Sequence, residues 1–240
     1  MNGFFKVYPA GAYSLIAIVI FILLLIIIVP LFILGVAGAA FARLGFSWIE
    51  AVAVILLMVI GSFINIPLHT FRRRYSRTGG GEPVVFDAFS GEPVYDETMV
   101  TTLSLNIGGA VIPAGVCIYL FSEVQVLDIR SVALPLAACF ILVALVTFAA
   151  TKVLPAWGLR APLFLPALTA LVCGLLLTGG TPGIAAGVTA FAGGTLGTMA
   201  GAAARGVTDG IREGIGQVSI GGSGMFGPIF LCAVLAALAA

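Results

Sequence analysis

The sequence predicts an all-α membrane protein, a polytopic bundle of about seven transmembrane helices that each use ~20 apolar residues. Of its 240 residues, 61% are hydrophobic and 9% are charged, whereas a soluble domain carries roughly a quarter charged residues. The apolar residues fall in long runs, and these runs lack the alternation over ~10 residues that is typical of a transmembrane strand. We therefore expect one transmembrane domain over residues 1–240, with the lipid bilayer as its partner.

The first apolar run, Tyr13 to Phe41, predicts helix one. A cleaved signal peptide is the alternative, because Lys6 precedes the run and Ala37-Gly38-Ala39 is a small-residue cleavage pattern. Signal-peptide cores are usually about 7–15 residues long, and this run is much longer. The sequence therefore favours a permanent helix, which Pro30 is expected to kink because proline removes a backbone donor.

Six further apolar segments predict the remaining helices. They cover approximately Trp48–Leu68, Thr98–Phe121, Val132–Ala150, Ala161–Leu177, Gly183–Ala204 and Gln217–Ala240. The longer polar stretch, residues 69–97, is too short for a separate soluble domain and predicts a loop. Between Gly79 and Tyr95 it contains VVFDAF and EPVY around Ser90-Gly91, which predicts a short hairpin.

Lysine and arginine near the helix ends predict the orientation, because the flanks that are richer in them stay on the cytoplasmic side. With the N-terminus inside, the cytoplasmic segments hold Lys6, Arg72, Arg73, Arg74, Arg77, Lys152, Arg160, Arg205 and Arg212. The opposite side holds Arg43 and Arg130. We therefore expect the N-terminus inside, the C-terminus outside and loop 69–97 in the cytoplasm. For the arginines of this loop, setting the topology is the favoured role and attraction of anionic headgroups is the alternative.

Composition argues against several other classes of protein. The net charge is +1 and the basic residues form no long stripe, so no nucleic-acid partner is expected. The four cysteines, Cys117, Cys139, Cys173 and Cys232, lie in apolar runs without a CxxC or a zinc-site spacing. We interpret them as buried, inert thiols, and we expect neither a metal site nor a cofactor.

Helix six carries Gly193, Gly197 and Gly201, a glycine at every fourth position. This spacing predicts a flat face for close helix packing. Thr195 and Thr198 lie between these glycines and either bond across the contact or line a path, and the sequence does not decide between the two. A scaffold or assembly protein that uses this face is an alternative role. A homo-oligomer is a separate candidate, for which the sequence names no surface.

Residues 221–228, GGSGMFGP, predict broken backbone in helix seven, because glycine and proline disfavour helix. The residues after Pro228 would make about 18 Å of helix, too little for a hydrocarbon core of about 30 Å. The break is therefore expected at membrane depth, where protein or a water-filled cavity must satisfy its polar groups. Discontinuous helices of this kind build transporter binding sites. A kinked, packed helix without a ligand is the alternative.

Helices two and three contain comparable interruptions, at Asn65-Ile66-Pro67 and at Asn106, Gly108-Gly109 and Pro113. Three interrupted segments predict a common centre. Asn65 and Asn106 are expected to face the interior and to bond freed backbone or a solute, and satisfied structural amides are the alternative. The predicted solute-binding or pore residues are Asn65, Asn106, Gly108, Gly109, Gly221, Gly222, Ser223 and Gly224.

No strong catalytic motif is present in the sequence. The GGSG run lacks the lysine of a phosphate-binding loop, Ser223 is not in a GxSxG turn, and HExxH is absent. His69 beside the arginines indicates an interfacial residue. A diaspartyl hydrolase needs two neighbouring carboxylates, for which Asp96 and Asp209 are the candidates. The sequence favours non-enzymatic binding or permeation of a small solute, and the alternatives are such a hydrolase, a degenerate relative of one, or a scaffold.

Four stretches together resemble one known family: GSFINIPL at Gly61–Leu68, LNIGGAVIP at Leu105–Pro113, GGTLGTMAGA at Gly193–Ala202 and SIGGSGMFGPIFL at Ser219–Leu231. They are similar to the uncharacterised bacterial and archaeal membrane family catalogued as domain of unknown function sixteen-fourteen. The resemblance implies a prokaryotic cytoplasmic membrane protein and implies no activity. In this family an aspartate often stands where this chain has Ala203 and Gly227, so a function of those carboxylates would be missing here.

Overall fold

The computed structural model describes residues 12–75, 85–86, 93–94, 97–124, 129–154, 158–210 and 216–240. Its helices are α1 (Ala12–Arg43), α2 (Trp48–Gly61), α3 (Ile112–Val124), α4 (Ile129–Ala150), α5 (Leu165–Leu177), α6 (Ile184–Arg205) and α7 (Phe226–Ala236). Two π-helical segments are π1 (Ile107–Val111) and π2 (Gly206–Gly210). The strands are β1 (Asn65–Tyr75), β2 (Val85–Phe86), β3 (Pro93–Val94), β4 (Glu97–Asn106), β5 (Lys152–Leu154), β6 (Gly158–Arg160) and β7 (Gln217–Ile220).

The fold is mostly helical but not all-α, which corrects the predicted fold class. Parts of three predicted helices are strands. Helix two stops at Gly61 and the chain continues as β1, β4 replaces the first half of helix three, and β7 replaces the start of helix seven. Apolar content alone predicted helix there, but β4 alternates polar residues with Leu103 and Leu105 and is rich in threonine, which favours a strand.

Within the described residues, three helices are long and apolar enough to cross a membrane: Ile18–Arg43, Val132–Ala150 and Ile184–Gly210. Four shorter apolar helices, α2, α3, α5 and α7, have 14, 13, 13 and 11 residues. At about 1.5 Å per residue, each of them is well short of a hydrocarbon core of about 30 Å. Pro30 and residues 37–39 lie within the continuous helix α1.

Side-chain and backbone contacts show that consecutive helices alternate in direction around α6, which is buried along most of its length. α6 runs parallel to α4 and antiparallel to α1, α3, α5 and α7. The pairs that establish this are Gly193 with Cys139 and Gly201 with Ala144 for α4, Gly174 with Ala190 and Gly194 with Ala170 for α5, Gly187 with Ala240 and Thr198 with Cys232 for α7, and Phe41 with Phe191 and Leu44 with Gly187 for α1. For α3 the direction follows from the contact of Cys117 with Thr195, together with Ala110 of the preceding π1, which belongs to the same core cluster as Met199.

A three-stranded sheet of order β1-β4-β7 lies at the end of the bundle where α2 and α6 end. β1 pairs antiparallel with β4, from Asn65 opposite Asn106 outwards, and β7 pairs parallel with β4. Pro67 is tolerated because β1 is an edge strand with a register shift at this point. β5 and β6 form a separate antiparallel pair, which follows the C-terminal end of α4 and precedes the start of α5. β2 and β3 pair at the position of the predicted hairpin.

The exterior of the helices is apolar, whereas the core is built from small and aromatic side chains around α6. Every residue from 18 to 33 of α1 is exposed, including Phe32 at 70%. Large apolar side chains are also exposed on the outer faces of α2, α3, α4 and α5. Water would not solvate so extensive an apolar surface, but a bilayer would. The exterior is therefore suited to lipid.

Candidate functional site

The three predicted interruptions meet at one end of the β1-β4-β7 sheet. Asn65 begins β1, Asn106 ends β4 directly opposite it, and Leu105 pairs with Ile220 at the end of β7. The structure therefore brings together all eight residues predicted for a solute site. They fall into two groups, a packed junction and the lining of a pocket.

Asn106 is the centre of the packed junction and is 0% exposed. Its Nδ2 donates to the Ser62 carbonyl oxygen at 2.7 Å and to Asn65 Oδ1 at 3.1 Å. Its Oδ1 accepts from the Gly109 amide at 2.8 Å, which caps the start of π1. With both amide protons and one acceptor position occupied, Asn106 ties β4, α2 and π1 together and has little capacity left for a solute.

Asn65 extends the same network to β7. Its Oδ1 accepts a second hydrogen bond, from Ser219 Oγ at 2.5 Å. The two amides thus bond each other, protein backbone and a hydroxyl, as expected for structural amides. The hydrogen bonds explain how three strands and two helix ends stay in register at this point.

The glycines of the junction allow backbones to touch. A side chain at Gly108 would collide with the Met58 carbonyl oxygen at the end of α2, and one at Gly109 with the Gly221 carbonyl oxygen. Gly221 has a φ of +75°, which favours glycine, and its α-carbon faces the Gly109 carbonyl in return. These positions leave no space for a solute between the backbones.

Residues 221–225 form a turn between β7 and α7, so the backbone leaves the helical path where the glycines are densest. The amides of Met225 and Phe226 donate to the Gly222 carbonyl at 2.9 and 3.0 Å. Because α7 begins at Phe226, Pro228 lies in the first turn of a helix and does not contribute to the break, which corrects the predicted range. The Ala161 amide donates to the Gly224 carbonyl at 3.1 Å and fastens the turn to the end of β6.

A pocket of about 300 Å³ lies beside this turn, between the end of β6 and the start of α7. It is lined by Arg160, Ala161, Leu163, Ser223, Gly224, Gly227 and Pro228. Of the predicted solute residues, only Ser223 and Gly224 reach it. The sequence predicted only a role in membrane topology for Arg160. Its position beside Ser223 depends on the contact between Ala161 and Gly224, and no pattern of neighbouring residues predicts that contact.

A second, larger groove of about 720 Å³ is apolar and lies between α3, α4, α6 and the sheet. Ala114, Gly115, Phe140 and Ala203 are among its lining residues. Ala203 lines the groove and Gly227 lines the pocket. This chain places no carboxylate at either position.

The glycine face of α6 is covered by α4. Side chains added at Gly193 or Gly197 would meet Cys139 Sγ at 2.6 Å or the Phe140 carbonyl oxygen at 2.8 Å. Thr195 Oγ1 donates to the Phe191 carbonyl at 2.7 Å. Thr195 and Thr198 also contact two cysteine sulfurs, Cys117 Sγ at 3.4 Å and Cys232 Sγ at 3.5 Å. The two threonines therefore contact α3 and α7, not α4, which covers the glycine face.

Of the two candidates for a diaspartyl site, the structure describes one, Asp209. Asp209 lies in π2, and its Oδ2 is 2.9 Å from Arg205 Nε, four residues earlier. Arg205 in turn lies 5.3 Å above the ring of Phe148. Asp96 falls outside the part of the chain that the structure describes. His69 is exposed on β1 with its ring against Phe71.

The chain has long apolar helices, an apolar exterior and short apolar helices that adjoin strands. These features define its class as a helical membrane protein. The family model described as "Protein of unknown function (DUF1614)" matches residues 59–239, and the chain belongs to this family. The match confirms the family predicted from four stretches of sequence, and it begins within α2. Comparison with curated proteins and with solved structures finds no match.

Proposed function

We propose that this chain is a multi-pass membrane protein that binds a small solute in the pocket between β6 and the turn 221–225. The observation that carries the proposal is the pocket itself, because it opens where the backbone of a transmembrane segment is broken. Ser223 supplies a hydroxyl and Arg160 a guanidinium, while Gly224 and Gly227 leave the backbone accessible. Ligand sites typically combine an apolar lining with a few polar groups, and Ala161, Leu163 and Pro228 supply the apolar part of this pocket.

Seven crossings are supported by the way in which the short helices continue. α3 and α7 are each preceded by a strand of the β1-β4-β7 sheet, and α2 is followed by one. Leu105 and Ile220, at the inner ends of β4 and β7, pack against the core cluster that contains Met199, which lies six residues before the end of α6 and so about 9 Å inside it. A short helix and the inner end of the strand joined to it then span the hydrocarbon core of the bilayer together. Hydrogen bonds within the sheet satisfy the strand backbone, as the absence of water in the bilayer requires.

The distribution of cations supports a cytoplasmic location for the strand end of the bundle. This end carries the arginines of β1, Lys152, Arg160 and Arg205, whereas Arg43 and Arg130 lie at the opposite end. The positive-inside rule then places the N-terminus and the pocket on the cytoplasmic side. The C-terminal end of α7 lies beside that of α1, on the outer side.

The contacts give less support to the alternative functions. A scaffold that uses the Gly193–Gly201 face would have to displace α4, which already covers it. A hydrolase would have to free Asp209 from Arg205. Permeation would need a polar path beside α6, but most side chains of this helix are buried and the groove against it is lined by apolar residues. Binding at the pocket requires none of these rearrangements.

The test is a solute screen on purified protein in phosphatidylcholine nanodiscs, with Ser223→Phe as the variant that fills the pocket. Ser223 is exposed, so the larger side chain need not disturb the core. Ser122→Phe is the matched control, since Ser122 is exposed on α3 at the opposite end of the bundle. We expect a solute that raises the melting temperature of wild type and Ser122→Phe but not of Ser223→Phe. Equal responses of all three proteins would contradict the proposal.

A further inference from the structure

We propose that the apolar groove between α3, α4, α6 and the sheet binds one acyl chain of a membrane lipid. The groove shares no lining residue with the pocket beside the turn 221–225. It is therefore a second site, and its ligand is distinct from the solute of that pocket. The inference follows from a gap in the packing around α6, from the apolar lining of this gap, from its depth in the membrane and from its width.

The helices that surround α6 leave a gap along one of its faces. Between Ala186 and Ala202, every residue of α6 is buried except Leu196 and Ala200, which are half-buried. Both line the groove, as does Ala203 one turn later. Residues 196, 200 and 203 follow the i, i+4, i+7 spacing of one helix face. An otherwise buried helix is therefore open to the membrane over these two turns.

The groove is lined by apolar residues throughout. Two of its walls carry small residues, Ala114 and Gly115 on α3 and Ala200 and Ala203 on α6. No atom lies within 4 Å of a Cβ added at Gly115, so this wall is not filled by the protein itself. None of the lining side chains carries a charge or a strong hydrogen-bond donor, and hydrocarbon is the ligand chemistry that such a surface favours.

The groove extends from the strand end of the bundle to about the middle of the membrane. Leu196 lies nine residues before the end of α6 at Arg205, which is about 13–14 Å at helical rise. One leaflet, half of a hydrocarbon core of about 30 Å, has a similar depth. From Thr195 back to Ala186, α6 is buried, so the gap closes where the acyl chains of one leaflet end. This step uses the crossings proposed above, in which α6 spans the bilayer.

The width of the groove favours an acyl chain over a helix. A volume of about 720 Å³, spread over about 13–14 Å, corresponds to a cross-section of about 50–55 Å². A helix with its side chains is about 10–12 Å wide and needs roughly 80–110 Å². The exposed half of α1, residues 18–33, from a second copy is therefore too wide for the groove. An extended hydrocarbon chain is thin enough to enter it.

The first test compares lipid binding by Gly115→Leu and Gly35→Leu. No atom lies within 4 Å of a Cβ added at either glycine, but only Gly115 lines the groove. Palmitoyl-oleoyl-phosphatidylcholine is titrated into each full-length protein in detergent, and native mass spectrometry counts the bound lipid. We expect one tightly bound lipid for wild type and Gly35→Leu. Binding to Gly115→Leu should be about tenfold or more weaker, because leucine replaces several buried methylene groups of the chain.

The second test locates the bound chain with a phosphatidylcholine that carries a diazirine on its acyl chain. In nanodiscs of wild type, we expect photolabel on the α6 segment Leu196–Ala203. This segment is diagnostic, because the neighbouring part of α6 is buried and is out of reach of the surrounding bilayer lipids. Gly115→Leu should lose this label several-fold, whereas label on the exposed half of α1 should not change.

Equal lipid affinity of wild type, Gly115→Leu and Gly35→Leu would overturn the inference, and so would the absence of label from α6. A wild-type dimer that Gly115→Leu dissociates would also overturn it and assign the groove to a second copy. Ser223→Phe should bind the lipid like wild type, because Ser223 does not line the groove. Its response in the solute screen tests the pocket alone, so the failure of one proposal is distinguishable from the failure of the other.

Discussion

At the scale of single residues, Asn106 shows how a polar side chain is kept inside an apolar bundle. Its three hydrogen bonds join the end of α2, the start of β1 and the first turn of π1. A buried amide is costly without partners, but here both ends of the side chain are satisfied. Asn106 therefore contributes to the junction by fixing the register of β1 against β4.

The glycines of the junction are needed for two different reasons, and Gly221 combines both. It adopts a φ of +75° and faces the Gly109 carbonyl without room for a side chain. Gly45 also has a positive φ, +98°, but no atom lies within 4 Å of the position of an added Cβ. Alanine substitutions at these two positions therefore separate two costs. Both incur the cost of the left-handed backbone conformation, and only the one at Gly221 also incurs that of a steric collision.

We predict that Gly221→Ala destabilises the protein much more than Gly45→Ala. The left-handed conformation alone costs an alanine about 1–2 kcal/mol. Gly221→Ala adds a collision with backbone, which a flexible side chain cannot relieve. Melting temperatures in detergent would measure the difference. Similar melting temperatures for the two variants would show that π1 and the turn can separate without cost, contrary to the packing described.

At the scale of secondary structure, close packing of α6 against α4 depends on a glycine at each point of contact. Gly193, Gly197 and Gly201 lie successively against α4. Small residues at this spacing bring two membrane helices close enough for extensive van der Waals contact. Gly115 on α3 has a different environment, since no atom lies within 4 Å of its added Cβ.

We predict opposite effects for the same substitution in these two helices. Gly201→Ala should destabilise the protein by about 1–3 kcal/mol, because the added methyl group would collide with the Ala144 carbonyl. Gly115→Ala should leave stability unchanged or raise it by up to about 1 kcal/mol, because alanine favours helix. Thermal unfolding of both variants in the same detergent tests this. A stabilised Gly201→Ala variant would contradict the contact between α6 and α4.

At the scale of the whole molecule, consecutive helices of the described chain run in opposite directions, and strands adjoin three of the short ones, α2, α3 and α7. Thr70 lies on β1 and Thr181 in the connection between α5 and α6, and both residues are exposed. Three helices, α3, α4 and α5, separate them along the chain. If each of these helices crosses the bilayer, the two residues lie on opposite sides of the membrane.

We predict that a cysteine at Thr70 reacts with an impermeant maleimide only after cells are permeabilised, whereas one at Thr181 reacts in intact cells. The background should be low, because Cys117, Cys139 and Cys232 are buried and Cys173 is half-buried. The opposite pattern would reverse the orientation. Labelling of both positions from the same side would contradict three crossings between them.

The sequence alone determined the class and the family, because both depend on local features. Apolar runs identified the helices near their observed positions, and four ordered stretches, from Gly61 onwards, identified the family that the model match confirms. The interruptions at Asn65, Asn106 and Gly221 were also visible, since glycine, proline and asparagine disfavour helix wherever they stand. The topology and the solute site stay predictions.

Only the tertiary structure decided what replaces the helix at those interruptions and which residues line the pocket. β1 and β4 become strands by pairing with each other, and β7 joins them from the far end of the chain. The pocket forms because the Ala161 amide bonds the Gly224 carbonyl, which brings Arg160 beside Ser223. Both outcomes depend on partners that are distant in sequence, whereas periodicity and propensity describe only neighbours along the chain.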